Sequence, residues 1–218
     1  MSADVQPRLT VLLVDDHAVV REGYRRLLER HGDIAVVGEA GDADSAYALL
    51  RELDPQIVVM DITLPELSGI EAMRRMLLCK PDTRVLMFSM HEEAIFAKRA
   101  LQAGAFGYVT KASAPDVLVE AVHAVAGGRK FLSAAVARDL ALRRADLDGD
   151  ACDSLSAREA EVLRLLVQGR SVKDIARAMG LNSKTVANHQ SAIRQKLQAD
   201  TAIQLLRQAR RLGLDTMG

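Results

Sequence analysis

Five residues of the kinds that hold metals and charged groups follow short apolar runs in the first half of this chain. Asp15 and Asp16 come directly after LTVLLV (9–14), and Asp61 comes directly after IVVM (57–60). Ser89 follows RVLMF (84–88), and Lys111 lies just past AFGYV (105–109). If these runs are parallel strands, their carboxyl ends line one edge of a sheet, where functional groups gather in open α/β folds. Three carboxylates, a hydroxyl and an ammonium would then converge. Such crowding is costly without a cation, and an all-oxygen site that retains water suits Mg2+. Taken alone, Asp16 would serve as an N-cap for a helix beginning near residue 18. Capping does not account for all five positions together.

The elements that must hold these residues are legible from periodicity. The four runs above and IAVVG (34–38) alternate with amphipathic stretches near 18–30, 43–52, 69–78, 92–102 and 114–126. Several runs are continuously apolar, as expected of strands covered on both faces. Five β/α repeats predict a doubly wound five-stranded parallel sheet, since parallel strands need crossover connections. All five prolines fall outside the strand runs.

After Gly127–Gly128 the pattern changes. Residues 133–143 have the pattern of one more helix, and RRADLDGDACDS (143–154) reads as a polar linker. From Ser154 onward there is no strand pattern. Ser156 with Glu159 forms a capping box for a helix running to Gln168, with Gly169 as its stop. Ser171 caps a second helix ending near Met179. A third spans about 183–197 and a fourth about 201–212. The predicted division is 1–128, a helix and linker at 129–153, and an all-α four-helix domain at 154–218.

Net charge is zero, but unevenly spread. Residues 1–153 carry 18 Lys and Arg against 24 Asp and Glu, and residues 154–218 carry 11 against 5. A basic end on an otherwise acidic chain points toward nucleic acid. No apolar run nears the roughly 20 residues needed to span a bilayer, and the N-terminus lacks a signal-peptide layout. Cys79 and Cys152 belong to no ligand cluster. These features predict a cytoplasmic protein with free thiols and no membrane partner.

The pieces VDDH, MDITLPELSG, FSMH and YVTK resemble the receiver domain of two-component response regulators over nearly all of residues 8–128. The resemblance implies a flavodoxin-like fold, Asp61 as phosphoacceptor and a sensor histidine kinase as phosphoryl source. It makes Asp16 a direct Mg2+ ligand, Asp15 a ligand through water, and Thr63 a ligand through its backbone carbonyl beside Asp61. Ser89 and Lys111 would hold phosphoryl oxygens, and Tyr108 would be the switch aromatic that follows the hydroxyl inward. Met90, bulkier than the small residue common at its position, is expected to narrow access to Asp61 and lengthen the life of the acyl phosphate.

In SVKDIARAMGLNSKTVANHQSAIRQKL (171–197) a short capped helix, a turn with Gly180 and a longer helix make helix-turn-helix grammar. Val186, Ile193 and Leu197 mark the buried face of the longer helix. On the opposite face, Asn188 is the candidate for reading a base edge of double-stranded DNA, with Lys184, Thr185 and Arg194 on phosphates and Ser191 between them. Lys173, on the shorter helix, adds a further phosphate contact. LSAREAEVLRLLVQG, KDIARAMGLNSKTVANH and IRQKL resemble the LuxR-type DNA-binding domain over about 154–211. The order of the domains is similar to that of the NarL/FixJ class. Many relatives carry lysine where this chain has Ala187, which removes one expected DNA contact. The last helix has more apolar surface, at Ile203, Leu205, Leu206, Ala209 and Leu212, than its packed neighbours require. The resemblance implies that it pairs with a second copy on DNA, and a homodimer is expected when the chain is phosphorylated or DNA-bound.

The expectation is a phosphorylation-switched transcription regulator and not an enzyme. A phosphatase with Asp61 as nucleophile is the rival reading. It needs a general acid two residues later, where this chain has Thr63. A DNA binder with a degenerate receiver is the other rival, and the five intact pocket residues weigh against it.

Overall fold

A computed structural model of the chain describes residues 8–30, 32–142 and 155–214. Contacts gather into two units: the chain up to Met90 together with Ala100–Ser133, and His91–Arg99 together with the chain from Ala134 onward. The stretch 143–154 read as a linker lies outside the described residues, as does Cys152.

In the first unit the strands are β1 (Leu9–Val14), β2 (Ile34–Ala40), β3 (Ile57–Met60), β4 (Arg84–Ser89), β5 (Gly107–Thr110) and β6 (Phe131–Leu132). They form one parallel sheet in the order β2-β1-β3-β4-β5-β6. Helices α1 (Ala18–Glu29), α2 (Ala43–Leu53), α3 (Gly69–Cys79) and α5 (Pro115–Ala126) join them. Residues of α1 meet α5, and residues of α2 meet α3. Alternate strand residues therefore enter different layers. Val11, Leu13, Ile57, Val59, Leu86, Phe88 and Val109 form one core with Leu28 of α1 and Leu118 and Val122 of α5. Burying each such side chain contributes about 1.5–3 kcal/mol, so the sheet edge rests on a rigid base.

The sheet has six strands, not the five expected. After Gly128 the chain returns alongside β5, Phe131 N–H donates to Phe106 O at 3.1 Å, and the extra strand is made. A strand of two residues is too short to express a period of two, which is why the sequence pattern misses it. Helix α4 (Ala94–Gln102) begins two residues later than expected, and its first part belongs to the second unit.

The second unit also holds α6 (Ala134–Leu142), α7 (Ala157–Val167), α8 (Val172–Ala178), α9 (Ser183–Lys196) and α10 (Ala202–Arg211). The described helices after Ser133 number five: α6, within the 133–143 stretch that has the pattern of one more helix, and the four from α7 onward. Within this unit Glu161 meets His91 Nε2 at 3.0 Å and Arg164 Nη2 at 2.9 Å. Burial alone would raise the Glu161 carboxyl. The hydrogen bonds and charges of His91 and Arg164 outweigh it and hold the group down to about 2. The chain from α7 to α10 folds where caps predict. Ser156 and Glu159 make the reciprocal capping box, and Thr201 with Gln204 makes another. At the end of α8, Gly180 takes φ +62° while Leu181 N–H bonds to Ala176 O at 2.8 Å. Glycine adopts that left-handed backbone without a Cβ penalty. Asn182 then caps α9, accepting from Thr185 N–H at 2.8 Å.

Candidate functional site

Backbone pairing sets the pocket. Val14 is level with both Ala40 and Met60, Met60 with Met87, and Ser89 with Thr110. The ladder runs one step beyond the strands: Asp15 N–H donates to Ala40 O at 3.0 Å, Asp61 N–H to Val14 O at 2.9 Å, and Lys111 N–H to Ser89 O at 2.8 Å. Asp15, Asp61, Ser89 and Lys111 are thereby fixed at one carboxyl edge, as their sequence positions imply.

Asp15 is 3% exposed, Asp61 5% and Ser89 0%, so each sits in a medium that penalises charge. The Lys111 ammonium lies between the carboxylates, donating to Asp15 Oδ2 and to Asp61 Oδ2. Burial pushes the ammonium down, but Asp61 and Asp15 outweigh that and raise it above its ordinary value. One cation is therefore shared by two buried anions, leaving an excess of negative charge. Thr63 N–H donates to Asp61 Oδ1 at 3.2 Å, which orients the carboxylate. Tyr108, in β5, is fully buried.

Asp16 does not cap α1. The N-cap position is His17, without a side-chain cap, and Asp15 Oδ1 accepts the His17 N–H at 2.8 Å. Asp16 is exposed to solvent, its Oδ1 2.7 Å from His17 Nδ1. Asp15, Asp16 and His17 bring ligand atoms within 4.8 Å of one another. The imidazole in this cluster was not among the expected donors, although the motif VDDH displays it.

The β3–α3 connection holds Asp61 from the other side. Ser68 caps α3, and Gly69 N–H donates to Ile62 O at 2.8 Å. A Cβ at Gly69 would lie 1.8 Å from the Asp61 carbonyl oxygen. Only glycine permits this approach, which explains the glycine closing MDITLPELSG.

In the helical unit, Val186, Ile193 and Leu197 are buried as expected, and Lys173, Lys184, Asn188 and Ser191 are exposed. Thr185 and Arg194 are half-buried. Thr185 Oγ1 bonds Asn182 Oδ1 at 3.0 Å, Ser191 Oγ bonds Ala187 O at 3.1 Å, and Arg194 Nη1 reaches Asp200 O at 3.4 Å. A tie absent from the sequence expectations is Lys196 Nζ to Glu159 Oε2 at 2.7 Å, which joins the end of α9 to the start of α7.

Residues 11–123 match the response regulator receiver domain, and residues 153–209 match the bacterial regulatory proteins of the luxR family. The chain belongs to the response regulators. It is similar to the transcriptional regulatory protein MctR of Rhizobium johnstonii, with 37% identity over 94% of each chain. It is also similar to RcsB of Salmonella enterica bound to a promoter in the presence of the phosphomimetic BeF3−. That likeness has 29% identity, covers 94% of this chain and 99% of that one, and has a TM-score of 0.61. A structure of two RcsB dimers bound to two parallel DNAs is alike at 27% identity and a TM-score of 0.59, covering 94% of this chain and 98% of that one. This response regulator of the NarL/FixJ class is a two-component transcription regulator, with a receiver followed by a LuxR-type DNA-binding domain, and not an enzyme. Among the described residues no helix is long and apolar enough to cross a membrane.

Proposed function

We propose that a sensor histidine kinase phosphorylates Asp61 of this regulator and that the phosphorylated form pairs on double-stranded DNA in the cytoplasm. The observation that carries the reading is the Lys111 ammonium shared by buried Asp15 and Asp61 at the carboxyl edge of the sheet. The working divisions are a receiver over 1–128, a helix and linker over 129–153, and a DNA-binding domain over 154–218.

The donor set fits Mg2+: it is dominated by carboxylate oxygens, and negative charge exceeds the one ammonium present. Asp15, Asp16, Asp61 and the Thr63 carbonyl would hold the ion. When bound, it supplies positive charge against the phosphoryl oxygens. The chain's own groups do the rest. An Asp61 carboxylate oxygen attacks phosphorus, the P–O bond forms, the P–N bond to the donor histidine breaks, and the imidazole leaves with its electron pair. Thr63 N–H keeps the carboxylate aimed. Lys111 follows the charge from the carboxylate to the phosphoryl oxygens, and the Ser89 hydroxyl donates to one of them. Ser89 pairs with Thr110 and Tyr108 with Met87, two steps back along the same β4–β5 ladder, which supports Tyr108 as the aromatic that responds to Ser89.

On the helical side, Asn188 reads a base edge, while Lys173, Lys184, Thr185 and Arg194 sit on phosphates with Ser191 between them. The exposure of Lys173, Lys184 and Asn188 supports this. Ile203, 67% exposed on α10, supports pairing through that helix, whose Leu205 and Ala209 are occupied by the domain core. A two-fold pair requires inverted half-sites.

Intact-mass spectrometry after incubation with acetyl phosphate and Mg2+ tests the reading. One phosphoryl group on the native chain, and none on Asp61→Ala or without Mg2+, is expected. Equal labelling of Asp61→Ala overturns the assignment.

A further inference from the structure

We infer that Arg21 is a positioning residue for the acidic loop, holding Asp15 and Asp16 in place without competing for their carboxylates. The inference rests on the phosphorylation-pocket reading above. Arg21 lies on the first turn of α1, and its side chain is only 17% exposed although it is charged. Its Nη1 donates to the backbone carbonyl of Asp15, and its Nε faces Glu39 Oε2 at 3.4 Å. Glu39, on β2, is held in turn by Arg25 Nη1 at 3.0 Å.

Two consequences follow from that geometry. With its N–H on Ala40 O and its C=O on Arg21, Asp15 has both backbone groups fixed, so the peptide leading to Asp16 cannot rotate. The guanidinium also directs its charge at Glu39 rather than at Asp15 or Asp16. Lys111 and His17 are the basic groups on those carboxylates, and Arg21 adds no further cation that a metal ion would have to displace. It supports the loop from behind, as partners of metal ligands commonly do, where their loss typically weakens metal binding about 10–100-fold.

The test is Mn2+ binding to the full-length protein, read by electron paramagnetic resonance of the free ion, with melting temperature recorded in the absence of metal. Arg21→Ala should weaken Mn2+ binding by about tenfold or more, and Arg21→Lys, which keeps one donor but not the second tie to Glu39, should fall between. Asp42→Ala, which removes the N-cap of α2, serves as a stability control and should bind Mn2+ as the native protein does. Affinity within twofold of native for Arg21→Ala, or a loss matched by Asp42→Ala, overturns the inference. If Arg21→Ala does not fold, Glu39→Gln is read instead: weaker Mn2+ binding supports the inference, and unchanged binding overturns it. A native protein that binds no Mn2+ would overturn the pocket reading as well, which separates the two failures.

Discussion

Gly69→Ala offers a stringent check on the packing around the phosphoacceptor. The new Cβ would lie 1.8 Å from the Asp61 carbonyl oxygen, 2.8 Å from its carbonyl carbon and 3.1 Å from Ile62 Cα. Carbon and oxygen tolerate about 3.3 Å, so backbone must part by more than roughly 1 Å. All three opposing atoms are backbone, and no side chain can swing aside. Forced overpacking costs about 1–3 kcal/mol, and the upper half of that range applies here. A melting temperature lower by on the order of 5–10 °C is expected. The displaced residue is Asp61 itself, and a misplacement of about 1 Å costs about 100-fold in rate. Circular dichroism melts and phosphorylation by acetyl phosphate, followed on phosphate-affinity gels, measure both effects. Gly23→Ala is the matched control: its Cβ would meet nothing within 4 Å on an exposed part of α1. It should be neutral, or stabilising by up to about 1 kcal/mol. Native-like melting and phosphorylation in Gly69→Ala would refute the argument.

Three further outcomes are expected. Lys111→Ala leaves two buried carboxylates without their shared cation, a loss of about 3–5 kcal/mol for a broken buried pair. Mg2+ should then raise its melting temperature more than it raises the native one, and an equal response would contradict the pairing. Burial would raise the Glu159 carboxyl, but hydrogen bonds from Lys196 and Ser156 outweigh it and hold it below its usual range. A depressed folded value means this stabilisation is present above the usual carboxylate range and is lost as pH falls through the folded value. Acid melts of Glu159→Gln should therefore show a shallower decline than the native helical domain, and identical slopes would count against the Lys196 tie. Met90 is 68% exposed beside Ser89. Met90→Ala should shorten the half-life of the acyl phosphate in a decay assay, and an unchanged half-life would leave Met90 as a surface residue without a gating role.

How much of this was legible in the sequence depended on whether a feature repeats locally. Continuous apolar runs and capped amphipathic stretches gave the parallel sheet and the helix-turn-helix to within a few residues. Strand ends in turn brought Asp15, Asp61, Ser89 and Lys111 together, because parallel pairing leaves little choice about where those ends lie. Phe131–Leu132 escaped since two residues carry no period. Arg21 escaped because a charged residue in an amphipathic helix is read as solvated. Its spacing from Tyr24 and Leu28, three and seven positions on, was the signal that it shares their inward face. The Lys196–Glu159 tie joins residues 37 apart on different helices, and no local pattern links them.

Charge added at Asp61 is expected to change how the helical domain binds DNA. The direct measurement is binding of genomic DNA fragments by the native chain and by Asp61→Ala, each with and without acetyl phosphate and Mg2+. Tighter binding and dimers are expected of the phosphorylated native chain, with no response from Asp61→Ala. Binding and assembly that are indifferent to the phosphodonor in the native chain, or equally responsive in Asp61→Ala, would contradict it.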